Sequence, residues 1–275
     1  MNSEKSIPTT IEYSVEGHTA SITLNRPKSA NALNALMIDE LDNALTLAEQ
    51  DEDVRVVVLG ANGKNFCAGH DLKEIFDGTE KWAAMRSTVE GKWEHETEMY
   101  LNRMLRWRNT PLITIAAVQG ACTAAGLMLA CMCDLIIAEV EATFSNPVLR
   151  MNGAGVELLV EPWELGARKA KEFMFCAMKL TADDAERAGL VNRVAPSGHL
   201  DAMALAMATE AALVPPVTAR AVKESINHTL DLQGQSDSWR HHFMVHQFVS
   251  ATETATSAMA ERTQGGMDAV KAETE

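Results

Sequence analysis

The chain has 275 residues, is 47% hydrophobic, and carries 24 basic against 38 acidic side chains, a net charge of −14. That length and apolar fraction are enough to bury a substantial core. The negative charge disfavours nucleic acid and anionic membrane surfaces as partners, so an anionic ligand needs a local basic site. The first ten residues show no signal core or transit pattern, and no apolar run approaches the roughly 20 residues that span a bilayer, so we expect a cytoplasmic protein.

Short strand-like runs alternate with segments of helical periodicity in the first two thirds of the chain. The helical spacing is clearest from Leu33 through Leu41 to Ala48, and the strand-like runs are 20–24, 54–59, 112–118 and 135–138. This alternation predicts an α/β fold. After Val194 the pattern predicts helices only, over 200–213, 217–230 and about 236–261. We therefore expect a core over residues 1–195 and a helical region over 196–275.

Cysteine and histidine spacing gives no sign of a metal. The five cysteines are odd in number and form no C-x-x-C pair, which favours buried thiols over disulfides or structural zinc. His241, His242 and His246 lie on a late predicted helix without a matching carboxylate or cysteine motif. We predict no metal site.

Two glycine-containing loops follow strands and lead into helices. The first is FCAGHDLKE at 66–74, and the second runs from Gln119-Gly120 into TAAGLMLA at 123–130. The unpaired N–H groups in the first turn of a helix attract anions, and two such groups aimed at one point form an oxyanion hole. Small residues such as Gly126 would let a ligand approach the backbone. Ordinary turns, in which glycine only relieves steric conflict, remain the alternative.

These loops and their flanking segments resemble the enoyl-CoA hydratase/isomerase (crotonase) superfamily. The likeness covers about residues 11–230, and its five segments appear in the order and spacing of the family. They are ITLNRPK with NALN (22–34), FCAGHDLKE (66–74), PLITIAAVQG (111–120), MCDLIIA (132–138), and Leu180-Thr181 with 185–194.

The resemblance implies a spiral of ββα repeats, followed by helices that assemble a trimer or a dimer of trimers. It also implies an acyl-coenzyme A thioester as substrate, with no cofactor beyond that coenzyme and no nucleic-acid or membrane partner. The backbone N–H groups of His70 and Ala125 would polarise the thioester carbonyl. The coenzyme contacts would map, mostly through backbone, to Lys28, Ala30, Ala68, Asp71 and Lys73.

The chain departs from the family where hydratases carry two glutamates. Met128 and Val148 occupy the positions of those two glutamates, which border the substrate in the family. Neither side chain can move a proton. Glu157 lies near the point where other branches place a catalytic aspartate, so we interpret it as a relocated acid or base, with a solvated or helix-starting role as the alternative. Histidine side chains in general titrate near neutrality, so His70 is a candidate proton shuttle, but its family role needs only its N–H, and helix capping or pocket lining are the alternatives.

Three functions remain open from the sequence. The leading hypothesis is enolate formation on an acyl-CoA thioester with Glu157 moving the proton, since isomerisation needs only one such group. The alternatives are a non-catalytic acyl-CoA-binding protein, and a hydrolase or dehalogenase that uses Glu157 as nucleophile. Dinucleotide binding is weaker, because Gly153-Ala154-Gly155 lacks the third glycine of that motif.

Overall fold

A tight hairpin begins the sheet. In the computed structural model, which describes residues 8–76, 85 and 88–274, β1 (Ile11–Glu16) pairs antiparallel with β2 (Thr19–Leu24). Gly17 in the connecting turn has φ +57°, a left-handed conformation that two-residue hairpin turns favour and that glycine adopts without steric cost. The hairpin sets the register from which the rest of the sheet extends.

The described strands form two sheets. Six strands lie in the order β1-β2-β3-β4-β6-β9, parallel after the first pair, and three shorter strands lie in the order β5-β7-β8. The parallel pairings require crossovers, and most of these contain helices, which confirms the predicted α/β fold. The remaining strands are β3 (Val56–Ala61), β4 (Ile113–Val118), β5 (Ala121–Thr123), β6 (Leu135–Glu139), β7 (Thr143–Ser145), β8 (Lys179–Thr181) and β9 (Arg193–Ala195).

Helices cover the sheets and continue to the end of the described chain. A π-helical stretch, Thr97–Asn102, joins α3 to α4, and 3₁₀ turns occur at Pro27–Ser29 and Pro147–Met151. The described helices are α1 (Ala35–Gln50), α2 (Leu72–Phe76), α3 (Val89–Glu96), α4 (Arg103–Asn109), α5 (Ala125–Cys131), α6 (Glu161–Phe175), α7 (Ala182–Ala188), α8 (Leu200–Ala211), α9 (Pro216–Leu232), α10 (Gln235–Ser250) and α11 (Glu253–Thr274).

Helix α1 shows how the sequence determines an element of this fold. The side chain of Asn34 accepts a hydrogen bond from the Met37 N–H at 3.0 Å and so caps the first turn. Apolar residues at helical spacing, from Met37 through Leu41 to Ala48, are buried. The predicted periodicity from Leu33 to Ala48 is therefore confirmed, with the observed helix beginning and ending two residues later.

The large sheet is buried on both faces. Val57 and Leu59 of β3 contribute to the main core, whereas Val56 and Val58, which point the opposite way, pack in a second cluster beneath α8. The α8 contribution to that cluster consists mainly of small side chains, including Ala204. Strands that are buried on both faces explain the nearly continuous apolar runs in the sequence.

The described residues after β9 form helices only, as the sequence predicts. The prediction of one helix over about 236–261 is wrong, because the chain breaks at Ala251 and Thr252 between α10 and α11. The Thr252 hydroxyl accepts a hydrogen bond from the Ala255 N–H at 3.3 Å and starts a new helix. No single described helix is long and apolar enough to cross a membrane; α8 and α9 meet that test only together, across a bend of 104°.

Cysteine burial follows the sequence prediction. Cys67, Cys122 and Cys133 are buried and Cys131 is partly buried, all as free thiols. Burial disfavours the thiolate and raises the pKa of Cys67 and of Cys133 to about 12. These thiols are inert core residues, whereas Cys176 is exposed.

Candidate functional site

The two glycine-containing loops meet and are held together by their backbones. The Cys67 N–H donates to the Ala121 carbonyl at 3.1 Å, and the Thr123 N–H donates to the Cys67 carbonyl at 2.9 Å. A Cβ atom added at Gly126 would lie 2.5 Å from the Cys67 carbonyl oxygen. The small residue expected to admit a ligand therefore also allows the two loops to approach each other.

The same junction brings the two predicted donor residues close together. A Cβ atom built on Gly69 would lie 3.4 Å from the Ala125 nitrogen, and His70 follows Gly69 directly. Ala125 is the first residue of α5, so its N–H belongs to the turn that the helix leaves unpaired. Among the described hydrogen bonds between elements, none comes from the Ala125 N–H.

A cavity of about 540 Å³ opens beside this junction. Ala68 and His70 from the first loop and Thr123 and Ala124 from the second line one side. The opposite sides come from the 3₁₀ turn Pro147–Met151, the segment 152–157, and helices α3, α10 and α11. The cavity thus lies between the loops and the C-terminal helices.

Glu157 and His70 form a buried pair inside the cavity. The Glu157 Oε2 atom lies 3.0 Å from His70 Nε2, and the Glu157 side chain is only 3% exposed. The Tyr100 ring packs against the imidazole, with ring centroids 4.2 Å apart. Burial opposes ionisation of Glu157, but the charge and hydrogen bond of His70 outweigh it and hold the pKa of Glu157 at about 2. The pair can therefore hold or move a proton as a unit.

His242 supports the segment that carries Glu157. His242 Nε2 lies 2.9 Å from the Val156 carbonyl oxygen, which requires the N–H to be on Nε2. Desolvation lowers the pKa of His242, so the imidazole is neutral at neutral pH. This histidine positions the backbone immediately before Glu157.

The sequence did not predict two further groups in the cavity, Glu96 and His246. Glu96 ends α3 and is 3% exposed, and its Oε2 lies 3.2 Å from Nε2 of His246 on α10. One atom each from Glu96, Glu157 and His246 lies within 4.8 Å of the other two. No motif contains Glu96, and the only signal in the sequence is a charged residue within a mostly polar helix.

The residues predicted to contact coenzyme A lie around the first loop. Lys28 and Lys73 are exposed, and Ala68 lines the cavity. The Ala68 N–H donates to the Ala30 carbonyl at 3.0 Å and the Asp71 N–H to the Leu33 carbonyl at 2.9 Å, so those two N–H groups are already used.

Asp71 has a structural role of its own. Its Oδ2 lies 2.7 Å from Nη2 of Arg26, and its Oδ1 accepts from the Lys73 N–H at 3.1 Å at the start of α2. The side chain thus joins the first loop to the segment before α1. A contact of Asp71 with a ligand stays a prediction.

The two positions at which the resemblance predicts the family's glutamates are apolar here. Met128 is fully buried within α5, and Val148 is partly buried in the 3₁₀ turn and lines the cavity. Neither position supplies a proton-moving group. Any acid or base must therefore come from other elements.

A second cavity, of about 520 Å³, lies between α6, α9 and the edge of β6 and contains Glu164. Desolvation, reinforced by the nearby charge of Glu161, raises the pKa of Glu164 to about 7. Between pH 4.5 and 7 the folded protein therefore binds more protons than the unfolded chain, and its free energy of unfolding falls as pH rises.

Glu164→Gln is expected to remove this decrease in the free energy of unfolding with rising pH. The variant should match wild type at pH 4 and exceed it at pH 8 by about 1–3 kcal/mol in the free energy of unfolding, measured by urea denaturation. Glu172→Gln, an exposed position on the same helix, is the matched control. Equal stability of Glu164→Gln and wild type at pH 8 would contradict the assignment.

The fold and site define an α/β protein in which two backbone loops and a buried carboxylate–imidazole pair face one cavity. A sequence model described as enoyl-CoA hydratase/isomerase matches residues 15–266. "Putative enoyl-CoA hydratase EchA13" from Mycobacterium tuberculosis is 40% identical over 245 residues, covering 84% of this chain and 77% of that protein.

Solved structures indicate the same family. A probable enoyl-CoA hydratase from Mycobacterium thermoresistibile has a TM-score of 0.82 and 46% identity, covering 91% of this chain and 98% of the other. An enoyl-CoA hydratase/isomerase from Xanthobacter autotrophicus Py2 has a TM-score of 0.88 and 29% identity, covering 96% and 97%. This chain belongs to the enoyl-CoA hydratase/isomerase family and has the crotonase fold.

Proposed function

We propose that this enzyme converts acyl-coenzyme A thioesters through an enolate, with the Glu157–His70 pair moving the proton. The observation that carries the proposal is the 3.0 Å contact between Glu157 and His70 inside the cavity. A buried carboxylate that is ionised at neutral pH and faces the cavity is available to take a proton from a carbon next to a polarised carbonyl. Moving a double bond requires only one such group.

The enolate oxygen would be held by the N–H groups of His70 and Ala125. The proximity of Gly69 to the Ala125 nitrogen supports this role, because it places both donor residues at one loop junction. Donors that are fixed before the reaction stabilise developing charge without reorganisation. No cofactor beyond the coenzyme of the substrate is needed for this chemistry.

The coenzyme would lie along the outer side of the first loop. Exposed Lys28 and Lys73 offer positive charge for its phosphates in a protein whose net charge is −14. The carbonyl groups of Ala30 and Ala68 would hold the adenine, while Gly126, Met128 and Val148 would border the acyl end. We further propose a cytoplasmic enzyme that assembles as a trimer or a dimer of trimers.

Deuterium exchange tests the proposal. The enzyme is incubated in D₂O with saturated acyl-CoA thioesters of increasing chain length, and the recovered thioesters are analysed by mass spectrometry. Deuterium at the α-carbon is the expected result, because the proton held by the Glu157–His70 pair exchanges with D₂O and the enolate then takes a deuteron from the site.

The other outcomes identify the alternatives. Tight binding of the thioesters without exchange or turnover would overturn the proposal in favour of a non-catalytic acyl-CoA-binding protein. An acyl adduct on Glu157 would indicate a hydrolase or dehalogenase with that residue as nucleophile.

A further inference from the structure

The segment that carries Glu157 is irregular. It runs over 153–160, between the 3₁₀ turn and α6, without helix or strand, and no backbone-to-backbone hydrogen bond of the described chain involves positions 154–159. The side chains of Val156 and Leu158 are buried in the main core. Apolar burial is non-directional, so it holds the segment in place without fixing the rotation of its peptide planes. The direction of Glu157 therefore requires another source.

Helix α10 supplies two hydrogen bonds to this segment. Nε2 of His242 lies 2.9 Å from the Val156 carbonyl oxygen, and Nε1–H of Trp239 donates to the Leu159 carbonyl at 3.1 Å. Residues three apart in a helix lie on the same face, so both rings reach the segment from one side of α10. Both side chains are buried, and their contacts lie before and after Glu157 in the chain.

The His242 contact acts on the peptide group next to Glu157. The Val156 carbonyl and the Glu157 nitrogen belong to one planar unit, so holding the carbonyl oxygen also sets the position of the Glu157 Cα. The neutral imidazole with its hydrogen on Nε2 and the imidazolium both donate from Nε2. The hydrogen bond to Val156 therefore does not require His242 to gain or lose a proton.

We propose that His242 and Trp239 are positioning residues, through which α10 directs the Glu157 carboxylate toward His70 and the bound thioester. The inference rests on the proposed function, in which Glu157 moves the proton. Neither His242 nor Trp239 is among the residues that line the cavity, so both act through the backbone of 156–159. A reacting group displaced by about 1 Å can lose about 10²-fold in rate, which makes this support important for catalysis.

His242→Phe tests the first contact, because it removes the N–H and keeps a planar ring of similar size. The kcat of α-deuterium exchange should fall by about 10- to 100-fold, whereas KM should change by less than about threefold, since the proposed coenzyme contacts lie on the first loop. His241→Phe, the same change at the exposed neighbouring position, is the matched control and should exchange at the wild-type rate.

His242→Gln separates the hydrogen bond from a proton transfer by the imidazole. The glutamine amide can donate to the same carbonyl but does not titrate, so kcat should stay within about fivefold of wild type. If His242 moved a proton itself, the glutamine variant would be as slow as His242→Phe.

Hydrogen exchange of backbone amides, followed by mass spectrometry, gives a readout that does not depend on turnover. Peptides that cover 152–160 should exchange faster in His242→Phe than in wild type, while peptides from α1 should be unchanged. A general loss of stability would instead raise exchange in both regions. If His242→Phe does not fold, Trp239→Phe removes the other N–H and carries the same expectations.

The results distinguish this inference from the proposed function. Wild type without α-deuterium exchange refutes the proposed function, and the amide exchange of 152–160 then still decides whether α10 holds the segment. If wild type is active, the positioning role is refuted by an unchanged kcat in His242→Phe or by a loss confined to KM. A glutamine variant as slow as the phenylalanine variant, or unchanged amide exchange over 152–160, also refutes it.

Discussion

Glu157→Gln is expected to lower the rate of α-deuterium exchange by about 10²–10⁴-fold, the usual contribution of a positioned acid or base. Glutamine has nearly the same volume and still accepts a hydrogen bond from His70, but its amide does not take a proton at neutral pH. The affinity for the thioester should change little, since glutamine keeps the shape of Glu157 and the proposed coenzyme contacts are mostly backbone groups of the first loop. Exchange is followed by mass spectrometry, and affinity by calorimetry.

Glu161→Gln provides the control for Glu157. Glu161 is 1% exposed, accepts a hydrogen bond from the Asn146 amide at 2.6 Å, and does not line the first cavity. Replacing that buried carboxyl group should leave the exchange rate close to wild type. An equal loss in both variants would mean that the loss reflects general stability, and an unchanged rate in Glu157→Gln would exclude Glu157 from proton transfer.

Ala125→Pro is expected to lower exchange by about 10²–10³-fold, the typical cost of losing one oxyanion donor. Proline has no N–H, yet its fixed φ suits the first position of a helix, where no intrahelical hydrogen bond is lost. The ring would also occupy the direction in which the N–H points. Free coenzyme A has no thioester carbonyl, so its binding should be retained and shows that the site is intact.

Ala125→Gly is the matched change at the same position. It removes only the methyl group and keeps the N–H, so the exchange rate should stay far above that of Ala125→Pro. If the proline variant folds, binds coenzyme A and exchanges as fast as the glycine variant, the Ala125 N–H does not hold the enolate. The donors would then have to be sought elsewhere in the cavity.

Local chemistry made much of the fold predictable from the sequence. The apolar residues that α1 buries and the Asn34 side chain that caps its first turn lie close together in the sequence. The apolar strand runs reflect a sheet that is covered on both faces. The break between α10 and α11 escaped prediction because the helical pattern continues across Ala251 and Thr252. Only the hydroxyl contact of Thr252 with the following turn marks the new start.

The sequence could predict residues of the site only where a single segment of the chain contains them. Glu157 was singled out from its position in the sequence, but its contact with His70 joins residues 87 positions apart. The contact between His246 and Glu96 spans 150 positions. A glutamate on a polar helix resembles a surface residue until the tertiary structure shows what covers it. Periodicity therefore cannot reveal a cluster assembled from α3 and α10.

Under the proposed function, the wall that α11 contributes to the cavity would contact the acyl chain without taking part in the proton transfer. Ala255, Thr256 and Met259 lie about 100 residues after Glu157 and carry no ionisable group, while Arg262 fastens the helix by donating to the Met151 carbonyl at 2.6 Å. Side chains on this wall can become larger or smaller without moving the loop junction or the carboxylates. If the acyl chain lies against this wall as proposed, substitutions there would change the preference for short, long or branched chains without changing the reaction.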